Sequence, residues 1–348
     1  ARGNKVSVIS SSCAGAADRE ERDGVMVYRV PSYRRELGRG TFFQMFCYVV
    51  NALDFIRRNR DKLPADVVHC HFLVPTGYLA ERFYRMYKVP YIVTLHGGDV
   101  PSFVPEQTGP AFRLIKPIAD RAGKMAHRVV AVSESLADLA RNDYPCFSEK
   151  IVAIPNGIET MDHDVVADKT QSVVQFVFAG RLTPQKNLLF LLEVLSGVDR
   201  DFKLVVLGEG PQESQARQFV REHKLTDRVV FRGWVGRDEV LDTMRHSHFL
   251  LMPSLKEGMP VAGLHAYACG LPIIGMRSPG VEQFVEDGIS GYILDNDVAS
   301  WRDLFVRLCH EPEISQSMAE ACRDLARRKY SWNAIGSQYL KLFKDIGR

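Results

Sequence analysis

Apolar residues in this chain fall into short continuous runs, separated by longer stretches in which they recur every three or four positions. Runs at 5–10, 25–28, 67–71, 91–95, 129–132 and 151–154, and again at 174–179, 203–207, 229–231, 249–252, 272–275 and 292–294, predict strands. Phe176-Val-Phe178 and Leu204-Val-Val-Leu207 lack the polar alternation of a half-exposed strand, which predicts burial on both faces. Leu188, Leu191, Leu192 and Leu195 stand at i, i+3, i+4 and i+7, the spacing of one helix face. Strands alternating with helical patterns mean βαβ units and a mostly parallel sheet in each half, an α/β fold. The Asp-rich stretch 159–171 has no apolar period and predicts a linker between an N-terminal domain (1–160) and a second domain (161–330).

Length supports two domains, because 348 residues exceed what one hydrophobic core usually serves. The uncharged stretch 258–276 is as long as a membrane span, but four glycines, two prolines and His265 within it argue against one. The first residues run into a strand pattern without an apolar leader, so no signal peptide is expected. Seven scattered cysteines with no C-x-x-C pair argue against a disulfide framework or a thiolate zinc site, and point to a reducing cytoplasm.

The first 160 residues carry 22 Lys and Arg against 17 Asp and Glu, and the remainder 23 against 25. With Arg34, Arg35, Arg39 and the Arg57-Arg58-Asn-Arg60 cluster, this lean reads first as a solvated basic face, its functional alternative being peripheral contact with an anionic membrane at the inner face or with an acidic acceptor. Residues 41–50 predict an amphipathic core helix, with a lipid-linked acceptor as the other partner that its apolar positions would suit.

Open parallel sheets bind ligands beyond the carboxyl ends of their strands, so the loops there hold the candidate chemistry. Gly180 would let backbone approach a ligand, while Arg181 and Lys186 offer a guanidinium fork and a point charge for a diphosphate. Both cations are expected to be exposed, so removing either should abolish transfer with little effect on folding. Gly258 to Val261, with Met259 and Pro260 between them, would present free helix N–H groups to phosphate, Pro260 sitting in the first turn. Glu257, wrong in sign for phosphate, suits sugar hydroxyls, with a helix-end acid as the alternative. His265 lies eight residues on, roughly 12 Å along a helix, a span from sugar to ribose. Gly208 and Glu209 after one strand, and Trp234 and Val235 after the next, stand where backbone could hold a base. In the first half, His96 with Gly97, Gly98 and Asp99 closes a strand and could bond the transferred sugar or an acceptor hydroxyl. His69 and His71 are read as alternating across one strand, unable to share a metal, and structural.

These residues resemble the glycosyltransferase group 1 family, retaining enzymes of the GT-B fold. Gly180-Arg181-x4-Lys186 matches one family signature, Pro253-Ser254-x-x-Glu257-Gly258 another, and Pro155-Asn156-Gly157-Ile158 the turn before the linker. The resemblance implies two Rossmann-like domains with parallel sheets facing a central cleft, and a helix at 331–348 that crosses back to the first domain. It implies a UDP- or GDP-sugar donor, a glycan or lipid-linked acceptor, no metal or other cofactor, and no nucleic-acid partner. Arg181 and Lys186 would bind the diphosphate, Glu257 and Ser254 the donor, Met259 to Val261 the phosphate, and His96 the reacting sugar, with Asn156 on the acceptor side. Two departures stand out. His265 occupies the position of the family's second acid, which would bond ribose hydroxyls. The chain is also expected to begin one βα unit late. A nucleotide-sugar 2-epimerase and a binding homologue without turnover are the competing readings.

Overall fold

The computed structural model describes residues 3–13, 15–34, 41–104, 110–160 and 173–346. The predicted linker lies outside the described residues from 161 onward, as do Arg35 and Arg39. Two compact units emerge: Ala1–Val130 with Ala140–Val152 and Phe343–Arg348, and Ala131–Leu139 with Ala153–Leu342.

The first unit contains β1 (Val6–Cys13), β2 (Arg19–Arg22), β3 (Val25–Arg34), α1 (Phe42–Arg58), β4 (Val68–His71), α2 (Tyr78–Tyr87), β5 (Tyr91–Leu95), α3 (Pro110–Met125), β6 (Arg128–Ala131), α4 (Glu134–Asp143) and β7 (Ile151–Ala153). Its strands form two sheets rather than the one expected, with orders β1-β3-β2 and β4-β5-β6-β7. β1 runs parallel to β3 and β4 to β5, but β2 pairs antiparallel with β3 through a tight turn at Asp23 and Gly24, both at positive φ. That turn was not legible because β2, Arg-Glu-Glu-Arg, has no apolar residue. A capping box between Thr41 and Gln44 starts α1, whose inner face buries Ala52 and Ile56. Its outer face carries Phe43 and Phe46 at 67% and 66% exposure, with Val50, Arg57 and Arg58 also exposed.

The second unit contains β8 (Val174–Ala179), α5 (Leu188–Ser196), β9 (Phe202–Leu207), α6 (Glu213–Glu222), β10 (Val229–Gly233), α7 (Arg237–Arg245), β11 (Phe249–Met252), α8 (Val261–Ala268), β12 (Ile273–Met276), β13 (Gly291–Leu294) and α9 (Val298–His310). All six strands are parallel, in the order β10-β9-β8-β11-β12-β13. Both faces are covered: Phe176, Phe178, Leu204, Val206 and Leu251 pack with Leu188, Leu191 and Leu192 of α5 and Trp301 and Phe305 of α9. Val177, Leu250 and Ile273 point the other way, against Leu264 and Tyr267 of α8. Burying each such side chain contributes about 1.5–3 kcal/mol, so this sheet is a firm platform for its loops. The chain reverses its direction of progress across the sheet between β8 and β11, the position at which doubly wound sheets open a crevice.

The boundary between units falls at Val152/Ala153, ahead of the 160 expected from composition. The reason is a strand-like exchange with the start of the last helix, Trp332–Ile346: Ile158 N–H donates to Tyr330 O at 2.7 Å, and Trp332 N–H to Ile158 O at 3.1 Å. Gly157 permits it, since a Cβ there would lie 2.3 Å from the Trp332 ring. Asn156, expected on the acceptor side of the first domain, therefore belongs to the second unit.

Candidate active site

The loops after β8 and β11 meet at the reversal point. Leu255 N–H donates to Gln185 O at 2.9 Å, and Gln185 Nε2 to Lys256 O at 3.0 Å. These bonds bring Lys186 Nζ to 2.6 Å from Glu257 Oε1, with Lys186 partly and Glu257 almost wholly buried. Lys186 is thus not the freely exposed cation expected from sequence: it neutralises a carboxylate that would otherwise be buried alone. Arg181 is exposed, and among the described residues its guanidinium has no hydrogen bond or ion pair. Ser254, buried, lines a small cavity with Lys186, Glu257, Met252, Pro260 and Ala262.

The loop after β12, which the sequence reading passed over, buttresses Glu257. Ser278 Oγ donates to Ser254 O at 2.6 Å, and Glu257 N–H donates to Pro279 O at 2.9 Å. Gly280 sits at φ +83°, and any Cβ there would lie 1.9 Å from Glu257 O. The available signal was a Ser-Pro-Gly segment closing a buried strand, the same grammar as the loops that were singled out.

α8 begins at Val261, with Pro260 as its N-cap rather than in its first turn. The first helical bond is Leu264 N–H to Pro260 O, so the N–H groups of Val261, Ala262 and Gly263 have no helical acceptor. Gly258 and Met259 precede the helix. The span from Glu257 to His265 is consequently only half helical, and the 12 Å rise does not apply. His265 is half-buried, and burial followed by the charge of Arg237 lowers its pKa. Arg237 itself donates from Nη2 to Glu159 Oε2 at 2.8 Å.

The glycines after β8, β9 and β10 interlock the backbone. Gly180 N–H donates to Leu207 O, Leu182 N–H to Glu209 O and Gly208 N–H to Gly233 O, at 2.9, 2.9 and 2.7 Å. A Cβ on Gly208, at φ +129°, would lie 2.0 Å from Gly180 O. Gly208 is thereby held by packing between loops, as is Gly210, whose Cβ would meet Leu182 O at 2.4 Å. The Glu209 carboxylate accepts Trp234 N–H at 3.1 Å, the Trp234 indole is 75% exposed, and Val235 packs onto the core below.

On the first unit, the side chains of His69 and His71 share a face of β4, because residues two apart in a strand point the same way; the expected alternation was an error of period. Their ring centroids are 4.6 Å apart. His71 Nδ1 lies 2.9 Å from His96 Nε2, and His69 Nε2 lies 2.8 Å from Thr94 Oγ1. Burial, with the charge of His71 second, pulls His69 down to about 3 and His96 down to about 4, and burial lowers His71 as well. Asp99 does not face outward as an acceptor contact. It is buried, accepts the N–H groups of His96 and Leu73 at 3.2 Å each, and is pushed up to about 6 by burial against those bonds. Gly97, at φ +105°, leaves room for the Phe103 ring, and only Gly98 is exposed.

Two family models match the chain: Glycosyltransferase Family 4 over residues 1–162 and Glycosyl transferases group 1 over residues 174–311. A putative teichuronic acid biosynthesis glycosyltransferase of Bacillus subtilis is 26% identical over 93% of this chain and 82% of its own length. An Escherichia coli UDP-Gal:alpha-D-GlcNAc-diphosphoundecaprenol alpha-1,3-galactosyltransferase is 26% identical over 74% of this chain and 70% of its own. Among solved structures, sucrose-phosphate synthase from Thermosynechococcus elongatus superposes with TM-score 0.81 at 17% identity, covering 99% of this chain and 90% of that one. The Anabaena protein HepE in complex with UDP-glucose gives 0.74 at 15%, covering 92% and 86%. With its parallel sheets in two Rossmann-like halves and these matches along both, the chain belongs to the group 1 glycosyltransferases and has the GT-B fold.

Proposed function

We propose that the chain is a retaining, nucleotide-sugar-dependent hexosyltransferase whose donor sits on the second unit. One observation carries the reading: Arg181, unpaired among the described residues, the Lys186–Glu257 pair and the N–H groups opening α8 converge at the reversal point between β8 and β11. Arg181, Lys186 and the backbone N–H groups of Met259 and Val261 neutralise a diphosphate as it leaves, which gives the reaction its electrophilic assistance from the protein without calling on a metal cofactor. Glu257, held from behind by Ser278 and Pro279, accepts hydroxyls of the sugar. Trp234 and Val235 lie along the base, and His265 takes one ribose hydroxyl where a carboxylate would take two. His96 contacts the transferred sugar.

UDP is the favoured nucleotide, because the similar E. coli galactosyltransferase is named for a UDP-sugar and the Anabaena structure holds UDP-glucose. The same E. coli protein acts on a diphosphoundecaprenol-linked sugar, which supports a lipid-linked glycan as acceptor. No described helix is long and apolar enough to cross a membrane. The exposed Phe43, Phe46 and Val50, with Arg57 and Arg58 further along α1, are the surface that would rest on an anionic bilayer at the cytoplasmic face. A ligand that binds only the folded state must raise the melting temperature, so UDP, GDP, ADP and their sugar conjugates are screened by thermal shift. A selective shift with UDP compounds, followed by NMR of a product that keeps the donor's anomeric configuration, is expected. No shift with any nucleotide would refute the donor site.

A further inference from the structure

We propose that His71 is a positioning residue: it accepts the Nε2–H of His96 and so holds His96 in the tautomer whose Nδ1 is a bare acceptor for a hydroxyl of the transferred sugar. The proposal rests on the assignment of His96 to that sugar.

β4 and β5 are parallel neighbours with His71 in register with Thr94. His96 lies two residues beyond Thr94, on the same side of the ladder. That register sets His71 Nδ1 at 2.9 Å from His96 Nε2, a hydrogen bond between two rings that are each otherwise able to donate or accept. The His71 main chain is pinned in turn, its carbonyl accepting the Thr76 hydroxyl. His69 packs behind His71 with its ring tilted, its own Nε2 engaged with Thr94 Oγ1. His96 is fixed at its backbone by Asp99 and covered on one side by the Phe72 ring at 5.1 Å. The imidazole has therefore little freedom except in where its proton sits.

Two neutral imidazoles joined nitrogen to nitrogen must divide the roles, one donating and one accepting. Burial lowers both rings' pKa, which keeps them neutral near pH 7 and the division in force. If His96 donates, both rings carry their proton on Nε2, the intrinsically favoured site of a neutral imidazole. The reverse bond would force both onto Nδ1. The first arrangement leaves His96 Nδ1 unprotonated, so that it accepts from a sugar hydroxyl rather than donating to one. His71 needs no contact with substrate to do this.

The test uses the full chain with 15N-labelled histidine and long-range 1H–15N correlation at pH 7.5, the two rings assigned through His71→Asn and His96→Ala. His96 is expected to show protonated Nε2 and bare Nδ1; the opposite pattern overturns the proposal. His71→Phe removes the acceptor while keeping a ring in place. It should average the His96 tautomers and lower turnover at saturating donor by about tenfold, the worth of one hydrogen bond, with UDP affinity unchanged. His71→Asn, whose Oδ1 stands near the position of Nδ1, should restore most of the turnover. Turnover in His71→Phe equal to the parent, or a loss in both variants that follows melting temperature, would reduce His71 to a packing residue. Full transfer by His96→Ala would remove the sugar contact itself and overturn the proposal, while leaving the donor assignment on the second unit standing.

Discussion

Replacing Lys186 by Met tests whether the same lysine serves stability and chemistry. The Lys186 ammonium lies 2.6 Å from a carboxylate whose side chain is only 7% exposed, the lysine being 25% exposed. Removing the cation leaves Glu257 ionised, nearly enclosed and without its partner, which costs about 3 kcal/mol for a pair of this burial. For a unit of this size each kcal/mol moves the melting temperature by about 2–4 °C, so Lys186→Met should melt about 6–12 °C below the parent. Glu257→Gln should cost less, about 1 kcal/mol, because the amide oxygen can still accept from the lysine. In the Lys186→Met/Glu257→Gln double variant both charges are gone, and about 2 kcal/mol of the single-variant loss should return. Arg181→Ala is the control, since its guanidinium has no partner among the described residues. It should keep the parental melting temperature while weakening the UDP-induced shift. Calorimetry of the parent and the four variants, with and without UDP, reads every term. A Lys186→Met protein that melts with the parent, or a double variant no better than the single, would refute the ion pair as a structural element.

Gly208→Ala puts a Cβ 2.0 Å from Gly180 O at a φ of +129°, so a loss of about 2–4 kcal/mol and weaker nucleotide binding are expected in thermal denaturation; a parental melting curve would mean the loops can part freely. The native pKa of His69 lies near 3, below the ordinary 6.5. As pH falls from 7 to 5 the unfolded chain takes up a proton that the native state refuses, which removes about 2 kcal/mol of stability through this residue. Urea unfolding at both pH values should show His69→Gln losing that much less than the parent, and equal losses would contradict it. Phe43→Ser/Phe46→Ser should lower co-sedimentation with anionic vesicles at least about tenfold, each ring being worth more than 1 kcal/mol, without changing the UDP shift.

What the sequence disclosed, and what it withheld, follows from the range of the forces involved. Strands such as 174–179 and 249–252 were legible because burial on both faces writes an unbroken apolar run, and the Leu188 to Leu195 helix because one face of it must be dry. The packing role of Gly208 was not legible because a loop glycine can serve a ligand or a neighbouring carbonyl, and only the fold supplies Gly180 O as the neighbour. Asp99 was misread for a similar reason: its partners, the N–H groups of His96 and Leu73, belong to loops after two different strands. Ser278 and Gly280 went unnoticed because their work is done on the main chain of Ser254 and Glu257, which carries no side-chain signature.

The residues of the candidate site were legible as chemistry but not as a pair. Arg181, Lys186 and Glu257 were marked by charge beside glycine at strand ends, yet nothing in their spacing says that a lysine and an acid 71 positions apart meet at 2.6 Å. In the donor site proposed above, that meeting changes how a diphosphate enters. Two cations left free in one pocket would repel each other, and a carboxylate buried alone would be costly, so pairing Lys186 with Glu257 lets the fold hold all three groups ready. Arg181 is exposed and, among the described residues, unpaired, the group able to meet an incoming anion first. Lys186 can then turn from carboxylate to phosphate only as sugar hydroxyls arrive to satisfy Glu257. A nucleoside diphosphate without its sugar offers the first half of that exchange and not the second. UDP-sugar should accordingly bind more tightly than UDP in the parent, and the two should bind alike in Glu257→Gln, where no charge is left uncovered.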